Sequence, residues 1–420
     1  MEDFKTYKLE ELTIGKGEYG IGASAVPFDS SKYTYLRITD INDDGTLNKQ
    51  SLMSVDDINA CNYILKKNDI VFARTGNSTG RSYFYDGSDG VLVYAGFLIK
   101  FSIDDNKVNP RILKYYTHSK PYFDWVHSFD TGGTRGNINA KTYGTMPIIL
   151  PPRKIQDKIV SILKSLDDKI ELNRRINENL EQQAQALFKS WFVDFEPFKD
   201  GKFVDSELGM IPEGWKVGTI GDYSKIRSGF AFKSSWWTNK GVKIVKIKNI
   251  SSSGNLDMND CSYVSKENTL KAKEFSLKPG DLLIAMTGAT IGKFCIVPIL
   301  KEEMYVNQRV GRFFLGEEPI LKVPFIYGLL KSENIISQII NKGQGSAQPN
   351  ISANDIETIS IILPPEDIIS KYNELVSPYF SLLIKNLNEC DYLANLRDTL
   401  LPKLMSGELK LSEMETKLDE

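Results

Sequence analysis

From Ile155 to Phe192 the sequence runs without a Gly or a Pro, and Pro151-Pro152 sits just before it as a break. Ile159, Leu163, Leu166, Ile170, Asn173, Asn177, Leu180, Ala184 and Leu187 recur along it at alternating spacings of four and three. That rhythm puts them on one stripe of an α-helix, the seam of a helix built to lie along another. At about 1.5 Å per residue such a helix is roughly 55 Å long. It cannot bury its own seam, so the chain must supply a partner.

A repeat locates that partner. NDIVFARTGNSTGR (Asn68–Arg81) aligns without a gap on GDLLIAMTGATIGK (Gly280–Lys293), and AGFLIKF (Ala95–Phe101) falls on NQRVGRF (Asn307–Phe313) at the same offset. TGGTRGNINAKTYGTMPIILPP (Thr131–Pro152) matches QGSAQPNISANDIETISIILPP (Gln344–Pro365). Carried on, that second register puts Leu163, Leu166, Ile170, Asn173, Asn177, Leu180 and Leu187 on Val376, Tyr379, Leu383, Asn386, Cys390, Leu393 and Leu400. Ala184 alone falls on a charged residue, Arg397. The expected fold is α+β: two globular domains in a tandem pseudo-two-fold repeat, separated by a pair of long antiparallel coiled-coil helices. Asn173 and its repeat mate Asn386 would then meet near the axis, a buried polar pair that fixes register, or else lie at incidental solvent-facing positions. The expected boundaries are 1–152 for the first domain, 153–195 for the first helix and 196–215 for a linker. The second domain follows at 216–365, the second helix at 366–407 and a mobile tail at 408–420.

Composition excludes little. At 41% hydrophobic and 25% charged residues the chain reads as an ordinary soluble protein, too long at 420 residues for one core. No run approaches the roughly 18 apolar residues of a membrane span. MEDFKTYKLEELTIG is charged from its second residue, unlike a secretion signal. Cys61, Cys261, Cys295 and Cys390 are scattered and read as free thiols in a reducing cytosol. The net charge of −2 gives no general basic character. Residues 1–150 carry 17 basic against 18 acidic side chains, and residues 201–363 carry 20 against 16. A nucleic-acid surface would have to be local or shared with a partner.

Signatures of catalysis are missing. MTGATIGKF (Met286–Phe294) approaches a phosphate-binding loop, but GxxxxGK[ST] needs Gly where Thr287 stands and Ser or Thr where Phe294 stands. Its counterpart RTGNSTGRS fails in the same way. Both fit a glycine-bracketed turn between strands, which either presents its polar residues to a phosphate backbone or is simply tight. His118 and His127, beside Tyr122, Trp125 and Phe129, match no zinc spacing and read as packing residues. The acidic pairs Asp43-Asp44, Asp56-Asp57, Asp104-Asp105 and Glu302-Glu303 read as solvated turns.

SELGMIPEGW (Ser206–Trp215), LFKSWFVDFEP (Leu187–Pro197) and LRDTLLPKLMSGEL (Leu396–Leu409) together resemble the specificity subunit of type I restriction–modification systems. The resemblance covers essentially the whole chain, including the LPP at each helix entrance. It implies a non-catalytic, cytoplasmic subunit whose two target-recognition domains each read one half of a bipartite, asymmetric double-stranded DNA site in the major groove. The helices would act as spacer and as dock for two methylation subunits, joined by two motor/nuclease subunits, with no membrane involved. This chain would bind no cofactor or metal; S-adenosylmethionine, ATP and Mg would sit on the partners. A spacer of roughly 55 Å suits domains over major grooves about 34 Å or more apart. The alternatives are a non-catalytic coiled-coil protein-interaction adaptor and an active DNA enzyme.

The family motifs lie in linker and helices, so the DNA-reading residues are chosen by chemical type from the loops. In the first domain they are Tyr19, Ser24, Lys32, Arg74, Asn77, Arg81 and Arg135. In the second they are Lys233, Trp236, Thr290, Lys293, Gln308, Arg309, Gln348 and Asn350. WFVDFEP (Trp191–Pro197) either docks a partner or caps the coiled coil.

Overall fold

The computed structural model describes residues 4–49, 51–130, 136–251, 254–258, 260–343 and 349–409. They form two compact units, Met1–Asp168 with Leu393–Glu420, and Lys169–Tyr392. Two long helices, Arg153–Phe192 (40 residues) and Glu366–Ser406 (41 residues), contribute to both.

The first unit holds two four-stranded sheets. One orders Glu18–Tyr19, Leu98–Ser102, Asp69–Ala73 and Ser82–Tyr85, antiparallel throughout. The other orders Ala25–Pro27, Met53–Val55, Tyr33–Leu36 and Leu92–Tyr94, its last pair parallel. Lys5–Lys8 pairs with Pro147–Leu150 and ties the chain start to the strand that feeds the first long helix. The strand Asp69–Ala73 is buried along its whole length, which explains the apolar run Ile70–Ala73, while the buried Asp69 accepts a hydrogen bond from Ser102. Ile159 and Leu163 of the first long helix pack in the same core as Phe72, Tyr143, Ile148, Leu401 and Leu404.

The second unit repeats this plan strand for strand. Ile226–Ser228, Val310–Phe313, Leu282–Ala285 and Phe294–Ile296 form the antiparallel sheet. Trp237–Thr238, Ser262–Val264, Val242–Val245 and Met304–Val306 form the second, again ending in a parallel pair. Lys216–Thr219 pairs with Ser360–Leu363. The segment between the first helix and this unit is more than a linker, because Phe203–Ser206 and Gly209–Pro212 form a hairpin. Trp191, Phe192, Phe195 and Phe198 close on Trp215, Tyr372 and Phe325 with ring separations of 4.8 to 6.0 Å. Of the two readings of WFVDFEP, capping the helix end is the one these contacts describe.

Each expected seam position is buried or half-buried. Leu163, Ile170, Asn173, Val376, Leu383 and Asn386 are buried; Leu166, Leu180, Leu187, Tyr379, Leu393 and Leu400 are partly so. The pairing is antiparallel in each unit, with Arg397 on Asp167 in the first and Tyr372 on the Ala184 carbonyl in the second. Full burial of a side chain such as Leu163 or Val376 contributes about 1.5 to 3 kcal/mol.

The register differs from expectation by one helical turn. Asn386 does not meet Asn173; its Nδ2 donates to Asn177 Oδ1 at 2.9 Å, while Asn173 donates to Glu389 at 2.8 Å. Asn177 also donates to the Leu383 carbonyl (3.2 Å), and Cys390 Sγ lies 3.6 Å from the Ile170 carbonyl. Those two contacts are repeat mates of one another. The symmetric point of the pair therefore falls between positions 173 and 177 rather than on Asn173. Arg397, the charged exception in the seam, is held by Asp167, so the charge is paired where its mate Ala184 is simply buried.

Candidate nucleic-acid interface

The glycine turns are built alike in both halves. Gly76 and Gly80 have φ of +71° and +87°, and Gly288 and Gly292 have +67° and +84°. In one turn Gly80 N–H donates to Ala73 and Arg81 N–H to Ser78; in the other Gly292 donates to Ala285 and Lys293 to Thr290. A left-handed backbone at each position selects Gly. At Gly80 there is also no room, since a Cβ would lie 2.6 Å from Val126 Cγ1. Both are strand-to-strand turns.

In the first unit the structure brings Tyr19 and Arg74 together. Arg74 leaves the end of the central strand, and its guanidinium carbon sits 5.2 Å from the centre of the Tyr19 ring. Tyr19 is itself fixed, its hydroxyl accepting a hydrogen bond from Ala140 N–H at 3.1 Å. Asn77 lies exposed on the adjoining turn, and Phe97, not singled out from sequence, is exposed across the strand pair. Ser24 is exposed, on the approach to Ala25–Pro27. Two of the chosen cations are engaged elsewhere. Lys32 pairs with Asp56 at 2.5 Å, and Arg81 clasps Asp43 (2.6 Å) and the Ile41 carbonyl (3.2 Å). His118 Nδ1 lies 2.8 Å from the Lys114 carbonyl and burial lowers its pKa, as a packed histidine requires. His127 instead is exposed, beside Asp130 at 3.0 Å. Arg135 lies outside the described residues.

In the second unit an aromatic shelf forms. Phe230 and Trp236 lie nearly parallel (6.4 Å, 10°), with Lys233 Nζ 5.4 Å above the Trp236 ring. Gln308 N–H donates to the Phe230 carbonyl at 3.1 Å, which joins this shelf to the exposed turn bearing Gln308 and Arg309. Asn350 is exposed and bridges Thr287, whose buried Oγ1 has no partner among the described residues. Thr290 bonds back to the Thr287 carbonyl (2.8 Å), so it stabilises the turn; Lys293 is half-buried at the exit. Gln348 lies outside the described residues. Sequence reasoning missed Lys246, 3.5 Å over the Trp237 ring with its pKa lowered by burial and by Lys248. It also missed Thr287, although the TG pair repeated at Thr75 and Thr287 was the available signal.

Each unit thus presents a loop-lined sheet end where a cation lies on an aromatic ring, Arg74 on Tyr19 in the first and Lys233 on Trp236 in the second, with no carboxylate against either cation among the described residues. That is chemistry for phosphates and base edges. The model of the type I restriction modification DNA specificity domain matches residues 1–182 and 212–389. The chain is 31% identical over 311 residues to the type I restriction enzyme MjaIX specificity subunit of Methanocaldococcus jannaschii, covering 72% of this chain and 69% of that one. It is 25% identical to the HindI specificity subunit of Haemophilus influenzae, covering 82% and 87%. In fold it is similar to the S subunit of a type I restriction–modification system from M. genitalium, with a TM-score of 0.56, 15% identity and 96% of each chain covered.

Proposed function

Because the chain belongs to the type I restriction–modification DNA specificity family, we propose that its two halves read the two parts of one asymmetric DNA target. It is a non-catalytic subunit of a complex whose chemistry other chains perform. Residues 1–152 form one target-recognition domain and residues 216–365 the other. The helices at 153–195 and 366–407 set the gap between half-sites and dock the methylation subunits. Two methylation subunits supply S-adenosylmethionine, and two motor/nuclease subunits supply ATP and Mg, in the cytoplasm. This chain holds none of these cofactors.

The observation that carries this reading is the repeated head. Both units have the same two four-stranded sheets and the same glycine turns, yet different residues in the loops at the sheet end. One scaffold used twice with different readers is what an asymmetric, two-part target requires. The experiment is a genome-wide map of methylated adenines in a host with and without this gene. A split motif should appear and vanish with the gene, and exchanging residues 1–150 should change one half only. A complex that discriminates no DNA sequence at physiological salt would instead support the adaptor reading.

A further inference from the structure

We propose that each recognition domain reads a guanine through one arginine at the same strand pair, Arg74 in the first domain and Arg309 in the second. The inference rests on the DNA-reading function proposed above and deepens it.

The backbone establishes the equivalence. Arg74 N–H donates to the Phe97 carbonyl at 3.1 Å, and Met286 N–H donates to the Arg309 carbonyl at 3.1 Å. The Arg74 carbonyl accepts from Ile138 (2.9 Å) and the Met286 carbonyl from Ile351 (3.0 Å). Arg74 and Met286 therefore occupy one position of the pair, and Phe97 and Arg309 the other. Each domain keeps one guanidinium and one apolar side chain there, with the two exchanged.

Pairing singles out the same two residues. Among the described arginines of the two domains, Arg37, Arg81, Arg111, Arg227 and Arg312 each lie against a carboxylate. Arg74 and Arg309 do not. Arg74 Nε is buried with no hydrogen-bond partner among the described residues, and a buried orphan donor costs about 1–3 kcal/mol. Its guanidinium is held over the anchored Tyr19 ring. In the second domain the orphan is Thr287 Oγ1, next in sequence to Met286, whose N–H meets the Arg309 carbonyl, and Arg309 is exposed. An arginine with no carboxylate on its guanidinium suits two acceptors side by side, which guanine offers at N7 and O6 in the major groove. A phosphate offers acceptors too, but without sequence information.

The chain itself suggests the variants: Arg74→Met and Arg309→Phe, each the residue its counterpart position already carries. Assembled with its partner subunits, each variant is tested by adenine-methylation mapping and by titration of DNAs substituted at every half-site position. R74M should lose preference for guanine at one position of the first half-site, by about 5- to 150-fold. R309F should do the same in the second. In each case the other half-site stays intact and shows that the chain has folded and assembled. Equal weakening on all DNAs with an unchanged motif would mean a phosphate contact and overturn the proposal. An unchanged motif at unchanged affinity would overturn it as well. If the unaltered protein gives no bipartite motif, it is the DNA-reading function that fails.

Discussion

Replacing Asp167 by Asn tests whether the first recognition domain is clamped to the helix pair by charge. Asp167 lies on the first long helix and its side chain is 13% exposed. It accepts from Lys114 Nζ (2.7 Å), Tyr115 Oη (3.0 Å) and Arg397 Nη1 (2.9 Å). Lys114 and Tyr115 belong to the domain helix Arg111–Tyr116, and Arg397 to the second long helix. Burial opposes the carboxylate charge, yet Lys114 and Arg397 outweigh it and hold the pKa below its ordinary 3.8. The Asn variant leaves two largely buried cations facing each other. Breaking such a pair costs about 3–5 kcal/mol, and the lower end applies because both cations keep some contact with water. Two units need not unfold together, so the assay is hydrogen exchange of the Arg111–Tyr116 amides in urea. Since the folded pKa is depressed, the stabilisation is present above pH about 3.8 and is lost as pH falls through the folded value. A loss under about 1 kcal/mol at pH 7, where about 3 is predicted, would refute the clamp. So would a difference between wild type and variant that keeps its full size once the Asp167 carboxyl is protonated.

Asn177→Leu alone leaves the Asn386 donor without its partner in the seam and should cost about 1–3 kcal/mol in urea unfolding. Asn177→Leu with Asn386→Leu should recover most of that, while distances between spin labels on the two helices broaden as register loosens. Gly76→Ala meets open space and pays only for its left-handed backbone, about 1–2 kcal/mol. Gly80→Ala adds the collision with Val126 and should cost about 3 kcal/mol, so equal melting of the two variants would contradict the packing described.

The helix seam was legible because period and absence of Gly and Pro act locally, and every residue assigned to it is at least half-buried. The duplicated architecture was legible because the repeat matched in register. The repeat offset says which residues are mates, but not where along the helices the symmetric point falls. Asn386 therefore meets Asn177, one turn from the assumed Asn173. The parallel pairing of Tyr33–Leu36 with Leu92–Tyr94, and the stack of Arg74 on Tyr19, join residues more than fifty positions apart, which no local pattern encodes. Arg81 shows the same limit from the other side. Its type suggested a free cation at a turn, but Asp43, distant in sequence, holds it. Residue type identified candidate readers, and only the pairing of charges separated Arg74 from Arg81.

The central claim is that the two helices fix the distance between two independently read half-sites. Inserting one heptad into both helices, Arg153–Phe192 and Glu366–Ser406, lengthens each by about 10 Å while keeping the seam in phase. Methylation mapping of that variant in its assembled complex should return the same two half-sites with about three more base pairs between them. An unchanged gap, or altered half-sites, would contradict the account.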